Sequence, residues 1–182
     1  QVNDLVFLSA DVGLATTSEG KTYRTTDGAG SWTLVKETTR QLRKFFFRDA
    51  NNGVVVGDQA IFMATTNGGV DWTPKAMANV GSINLQDVSC ASEKVCIMAT
   101  GANSLVSTID VGDAGLLVTP SQNVLNTASF ATGSRVAALG ATGATSVSDD
   151  AGGTFRTIGG RLSGTFSSII AGPANVAFAP GD

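Results

Sequence analysis

Apolar and polar positions alternate in short runs along the chain, and almost nowhere does a helical period take over. The first forty residues show the pattern. LVFLSA, VGLATT, KTYRTT and SWTLVKE are runs of β-forming residues separated by Asp11, by Glu19-Gly20 and by a Gly-rich box. Leu5 and Phe7 keep a period of two, as do Thr22 and Arg24 against Tyr23, which is the pattern of a half-buried strand. QNVLNTAS (Gln122 to Ser129) is the one segment with weak helical periodicity. The pattern predicts an all-β chain of short antiparallel strands joined by tight turns.

The pattern also repeats. TTDGAGSW (Thr25 to Trp32) returns as TTNGGVDW (Thr65 to Trp72) and as SDDAGGTF (Ser148 to Phe155). TIDVGDAG (Thr108 to Gly115) fits the same frame with its aromatic residue lost. The acidic or amide position falls at Asp27, Asn67, Asp110 and Asp150, with spacings of 40, 43 and 40. A second marker runs through Phe7, Phe47, Val88, Phe130 and Ile170, with spacings of 40, 41, 42 and 40. Two markers sharing one period, with about four strands in each unit, describe the blades of a β-propeller.

Ser148, Asp150, Gly152, Thr154 and Phe155 complete the pattern Ser/Thr-x-Asp-x-Gly-x-Ser/Thr-Trp/Phe. On these residues the chain resembles the Asp-box, or BNR, repeat of sialidase-type β-propellers. The first copy has Ala29 in the Gly position; the second has Asn67 for the Asp and Asp71 for the small hydroxyl residue. The wider wording is similar to photosystem II assembly factor-like propellers, over essentially the whole chain. An Asp in such a box accepts N–H bonds within its own turn, Gly supplies a positive φ, and the closing aromatic ring packs between sheets. That implies a structural role for Asp27, Trp32, Asn67, Trp72, Asp110, Ser148, Asp150, Gly152, Thr154 and Phe155.

Blades are expected at about 4–40, 43–80, 84–122 and 126–160, with a half-blade at 164–182. Four and a half blades do not close a ring, and an open half-blade leaves strand edges unpaired. The expectation is a piece of a longer propeller. Alternatives are a second chain or copy supplying the missing strands, or a four-blade ring with a trailing extension. The chain opens without Met or an apolar leader, which reads as a mature or trimmed product.

Composition narrows the chemistry. The 182 residues hold 12 basic and 15 acidic side chains, a net charge of −3, and no histidine. Ser-His-Asp and Cys-His catalysis and imidazole metal sites are therefore excluded. The acidic balance argues against nucleic acid as a partner. No apolar run approaches the roughly 18 residues of a membrane-spanning helix. Cys90 and Cys96 bracket a short polar turn on facing strands. A disulfide there implies an oxidising, secreted or extracytoplasmic setting, with two reduced core cysteines as the alternative.

No catalytic constellation, metal site or cofactor motif emerges. Sialidases of the resembled superfamily rely on an arginine cluster, a tyrosine and a glutamate; here the one tyrosine is Tyr23, and Glu19, Glu37 and Glu93 read as turn or strand-end residues. Asp4, Asp87 and Asp58 are either channel-lining acids or solvated rim residues, and Asp110 with Asp113 or Asp149 with Asp150 do not form a Ca²⁺ loop. The one charge feature is RQLRKFFFRD, where Arg40, Arg43, Lys44 and Arg48 form a basic cluster. In an acidic protein it would clamp carboxylates through guanidinium forks, and the resembled assembly factors imply docking of a client protein. The alternative is a solvated strand end beside core phenylalanines. The expectation is a non-catalytic scaffold with a protein or glycan partner, and the competing class is a fragment of a glycoside hydrolase.

Overall fold

The structure is a computed structural model that describes residues 1–77, 80–102, 104–108, 116–120, 124–140, 145–158, 170–171 and 177–178. The first sheet is β1 (Val2–Phe7), β2 (Gly13–Thr17), β3 (Lys21–Thr25) and β4 (Thr33–Glu37). The second is β5 (Leu42–Phe47), β6 (Gly53–Gly57), β7 (Phe62–Thr65) and β8 (Thr73–Pro74), with a single 3₁₀ turn at Asp58–Ala60. The third is β9 (Asp87–Cys90), β10 (Cys96–Ala99), β11 (Ser104–Thr108) and β12 (Leu116–Pro120); the fourth is β13 (Leu125–Phe130), β14 (Val136–Gly140), β15 (Thr145–Ser148) and β16 (Arg156–Thr157). β17 (Ile170–Ala171) and β18 (Ala177–Phe178) form a final pair. Each four-stranded sheet is an antiparallel meander in chain order, and no α-helix occurs among the described residues. Of the weakly helical QNVLNTAS, the described residues 124–129 lead into and form β13 instead, because pairing with β14 overrides a marginal local preference.

Two compact units result: Gln1–Met77 with Gly81–Leu85, and Ala78–Val80 with Gln86–Asp182. In each, two successive sheets share an apolar core. The first joins Leu14, with Val6 and Leu8, to Leu42, Phe45, Val55, Met63 and Trp72 of the second sheet. The other joins Ile97, Ala99 and Leu105 to Leu125, Ala128, Val136 and Ala138, with Phe130 and Phe155 packed against them. Burying each large side chain contributes about 1.5–3 kcal/mol, which is why short strands suffice.

Register corrects one sequence marker. The first hairpin of each sheet closes on Phe7 opposite Gly13, Phe47 opposite Gly53, Cys90 opposite Cys96 and Phe130 opposite Val136. Cys90, not Val88, is thus the counterpart of the phenylalanines, and the spacings become 40, 43 and 40, identical to those of the box. In the final pair the counterpart is Ala171, opposite Ala177, rather than Ile170. The three extra residues lie between Trp72 and Cys90, in the connection from β8 to β9. The Phe7 ring lies 3.0 Å from where a Cβ on Gly13 would stand, and the ring of Phe47 covers Gly53 likewise. The Cys90–Cys96 disulfide occupies the same slot in the third sheet.

Candidate functional site

The box turns are built alike. In the first, Thr25 Oγ1 donates to Asp27 Oδ1 at 2.7 Å and accepts from the Ala29 N–H at 3.0 Å, while Asp27 accepts from Ser31 N–H at 2.9 Å and Ser31 Oγ at 2.6 Å. Ser148, Asp150, Gly152 and Thr154 repeat this set at 2.7–2.9 Å. These donors hold the Asp27 and Asp150 carboxyls well below the ordinary range, to about 2: for Asp27 the Ser31 hydroxyl is the largest cause, for Asp150 the Ser148 hydroxyl. In the middle turn Asn67 Nδ2 donates to Asp71 Oδ2 at 2.9 Å, so the bond survives with donor and acceptor exchanged. The two departures from the motif compensate each other. Asp110 lies outside the described residues.

Each turn is also fastened to the first loop of its own sheet. Gly28 N–H donates to Asp11 O, Gly68 N–H to Asn51 O and Ala151 N–H to Ser134 O, all at 2.7–2.9 Å. That loop has its own side-chain cap: Ser9, Asp49, Ser92 and Thr132 each accept from backbone N–H groups two or three residues on. These caps recur at 40, 43 and 40 residues, a third marker hidden because Ser, Thr and Asp look unrelated by letter. The backbone donors at Asn51 and Asn52, with the Asn52 side chain, also pull the Asp49 carboxyl down to about 2.

The closing aromatics do not behave alike. Trp72 is 6% exposed, stacked on Phe45 at 5.8 Å between ring centres and edge-on to Phe47 at 6.1 Å. Phe155 packs against its core cluster. Trp32 is only half-buried and joins neither cluster, against the expectation that its ring is sandwiched.

The basic residues do not form one patch. Arg43 Nε meets Asp58 Oδ1 at 2.5 Å, and Arg40 Nη1 reaches Gln59 O at 3.5 Å. Lys44 reaches instead to Asp4 Oδ1 of β1 at 3.0 Å, and Arg43 is the extra residue where the β5–β6 register shifts between Leu42 and Lys44. Arg48 lies at the far end of β5 beside Asp49 at 3.6 Å. Five residues of strand put about 17 Å between Arg43 and Arg48. The structure brings together Arg40 and Arg43 only, at the end of the sheet that carries the Asp58–Ala60 turn.

The three aspartates that the sequence left as either channel acids or solvated rim residues accept structural bonds. Asp4 accepts from Lys44 Nζ and from Phe45 N–H at 2.8 Å, linking β1 to β5. Asp87 accepts from Thr127 Oγ1 at 2.5 Å and Ala128 N–H at 3.2 Å, linking β9 to β13. Asp58 pairs with Arg43. The same first-strand position thus alternates acid and donor: Asp4, Lys44, Asp87, Thr127. No cluster of three or more metal-ligating side chains occurs among the described residues.

Sequence reasoning missed the turn beside Arg40. Gln59 and Ala60 both have left-handed backbone, at φ 54° and 56°. Asp58 N–H donates to Gln41 O at 2.9 Å, Gln59 N–H to Asn84 Oδ1 at 3.2 Å and Ala60 N–H to Ile83 O at 2.6 Å. Gly57 and Asp58 signal a turn, but Gln59 and Ala60 are not residues that favour left-handed backbone; these tertiary bonds impose the conformation.

No family model and no curated protein matches the chain. Solved structures do. A structure of YCF48 bound to D1 peptide is 14% identical, with a TM-score of 0.58, and the match covers 99% of this chain and 88% of that one. YCF48 from Cyanidioschyzon merolae is 15% identical with a TM-score of 0.72, over 100% of this chain and 66% of that one. The GH74 xyloglucanase from Xanthomonas campestris is 15% identical with a TM-score of 0.70, over 92% of this chain and 32% of that one. Likeness at such identity speaks to fold alone, and with the sheet topology it makes the chain all-β, built of β-propeller blades.

Proposed function

We propose that the chain is a non-catalytic propeller module that docks a protein partner at the end of the first unit formed by Arg40, Arg43 and the Asp58–Ala60 turn. The observation carrying this reading is that turn. Two consecutive non-glycine residues are held in left-handed backbone by bonds to the adjacent Ile83 and Asn84, next to the exposed Arg40. Such strain costs about 1–3 kcal/mol per residue and persists where the surroundings over-determine it, commonly at binding sites. Arg43, fixed by Asp58, positions the turn, while the Arg40 guanidinium offers a planar fork to an acidic peptide. Likeness to a propeller bound to a peptide supports the reading, and so does the use of Asp4, Asp58 and Asp87 in structural bonds rather than as paired acids across a cleft.

The box turns fit Asp-box repeats in their bonding, and the Cys90–Cys96 disulfide fits an oxidising, extracytoplasmic setting. Calorimetry against a library of acidic peptides tests the docking site. Arg40→Glu is expected to weaken binding at least tenfold, and Arg48→Glu, at the other end of β5, to leave it within twofold. Equal losses from both, or none from Arg40→Glu with the fold intact, would remove the assignment.

A further inference from the structure

Two Asn-Gly steps occur in the chain, Asn52-Gly53 and Asn67-Gly68, both at loops of the second sheet. An Asn-Gly step is prone to lose the side-chain amide, because glycine has no Cβ to obstruct the approach to its nitrogen. The other two described box turns carry Asp27 and Asp150 in the place of Asn67, carboxylates with no amide to lose.

The reaction joins atoms of adjacent residues. The Gly68 backbone nitrogen attacks Asn67 Cγ; a C–N bond forms, the Cγ–Nδ2 bond breaks, and ammonia leaves with the proton given up by Gly68. Water then opens the succinimide ring, at Cγ to give aspartate or at the backbone carbonyl to give isoaspartate. Nothing is oxidised or reduced, and water is the one co-reactant. In the closed turn the reacting groups are committed elsewhere. Gly68 N–H donates to Asn51 O at 2.9 Å. Asn67 Oδ1 accepts from Thr65 Oγ1 at 3.0 Å and from Asp71 N–H at 2.9 Å. Nδ2, the leaving group, donates to Asp71 Oδ2 at 2.9 Å. The Asn67 amide is thus tied to residues on both sides of it. The Asn52 amide donates to Asp49 alone among the described residues, to both carboxylate oxygens at 3.0 Å.

We propose that Asn67 is a deamidation site gated by its own box turn: inert while the turn is closed, reactive when it opens, and unable to close it again afterwards. The aspartate product sets a carboxylate against Asp71 where Nδ2 donated. The isoaspartate product lengthens the backbone just ahead of the bond from Gly68 to Asn51. Asp27 escapes the first conflict because Ser31, in the place of Asp71, donates to it at 2.6 Å. Exposed turns open locally, without global unfolding, so the site records openings of this one turn. It shares no residue with the Arg40 end and stands apart from peptide docking.

Incubation of the full chain at mildly alkaline pH tests it, with tandem mass spectrometry reading Asn52 and Asn67 separately. In the folded chain Asn67 is expected to deamidate at least about tenfold more slowly than in the chain unfolded in urea. Asp71→Ala removes the acceptor of Nδ2. It is expected to speed Asn67 about fivefold and leave Asn52 within about twofold, with unchanged circular dichroism. Chain deamidated at Asn67, separated by its extra negative charge, is expected to melt below the untreated chain. Equal Asn67 rates in the folded and unfolded chain overturn the proposal. So does an Asp71→Ala chain in which Asn67 is no faster, or in which Asn52 accelerates equally, since the protection would then lie outside the box. An unchanged melting temperature after deamidation overturns the claim that the turn cannot close again.

Discussion

The first and second sheets are two versions of one blade, and they differ most where their registers agree best. Leu5 and Phe45 occupy the same place on the first strand, yet Leu5 is 53% exposed and Phe45 4%. Asp27 and Asn67 open the same turn, yet one carries a charge and the other passes it to Asp71. Ala29 and Gly69 take the same left-handed backbone, at φ 75° and 77°, but only the glycine is pressed against Leu14. A repeat thus conserves backbone geometry and hydrogen bonding, while burial is set by what stands in front of each sheet.

The largest test of that difference is the first-strand pair. Phe45→Ala removes a ring that holds Trp72 and is expected to cost about 3–5 kcal/mol. Leu5→Ala, measured by denaturant melts, is expected to cost below about 1 kcal/mol. Similar losses at both positions would mean that the Leu5 face is already covered within the monomer.

Next comes the middle box. Asn67→Asp sets a second carboxylate against Asp71 and removes the Nδ2 donor, at an expected cost of about 1–2 kcal/mol. Adding Asp71→Ser restores the arrangement of Asp27 with Ser31, and the double variant is expected to recover most of the loss. A double variant no better than the single one would break the equivalence of the two turns. The acid limb offers an independent check. With the Asp27 and Asp150 carboxyls lowered to about 2 in the folded chain, the unfolded chain binds more protons below its own carboxyl range. The stabilisation is therefore complete at neutral pH and is lost as pH falls from about 4 through 2. NMR titration of Asp27 with an ordinary carboxyl midpoint would contradict the bonding described.

How much of this was legible beforehand follows from what each feature depends on. The four-strand meander showed in alternation and in the box, because both are local. The hairpin caps Ser9, Asp49, Ser92 and Thr132 were invisible by letter, since any short oxygen-bearing side chain does the job. Cys90 escaped the repeat for a similar reason: a disulfide and a Phe–Gly pair look nothing alike, yet both close a five-residue loop. RQLRKFFFRD is contiguous in sequence, but its charges find separate partners, Arg43 with Asp58, Lys44 with Asp4 and Arg48 with Asp49, which depends on the sheet and not on the local wording. The Gln59–Ala60 turn depends on Ile83 and Asn84, some twenty-five residues away, and no local pattern carries that.

The smallest expected effect is that of Ala29→Gly, at the third position of the box turn, and it is set against a larger one at its counterpart Gly69. Gly69→Ala adds a methyl group at a left-handed φ with the Leu14 side chain already in the space, so both strain and overlap are expected, about 2–3 kcal/mol together. Ala29 already tolerates that backbone, and its methyl group stands on an exposed turn. Ala29→Gly relieves about 1 kcal/mol of left-handed strain but loosens the unfolded chain by about 0.4–1 kcal/mol. The net gain is expected to stay within about 0.5 kcal/mol, a rise in melting temperature of no more than about 2 °C for a chain of this size. A clear loss from Ala29→Gly would show that the methyl group makes a contact that its exposure conceals, and the first turn would then have to be packed against something, as the second is against Leu14.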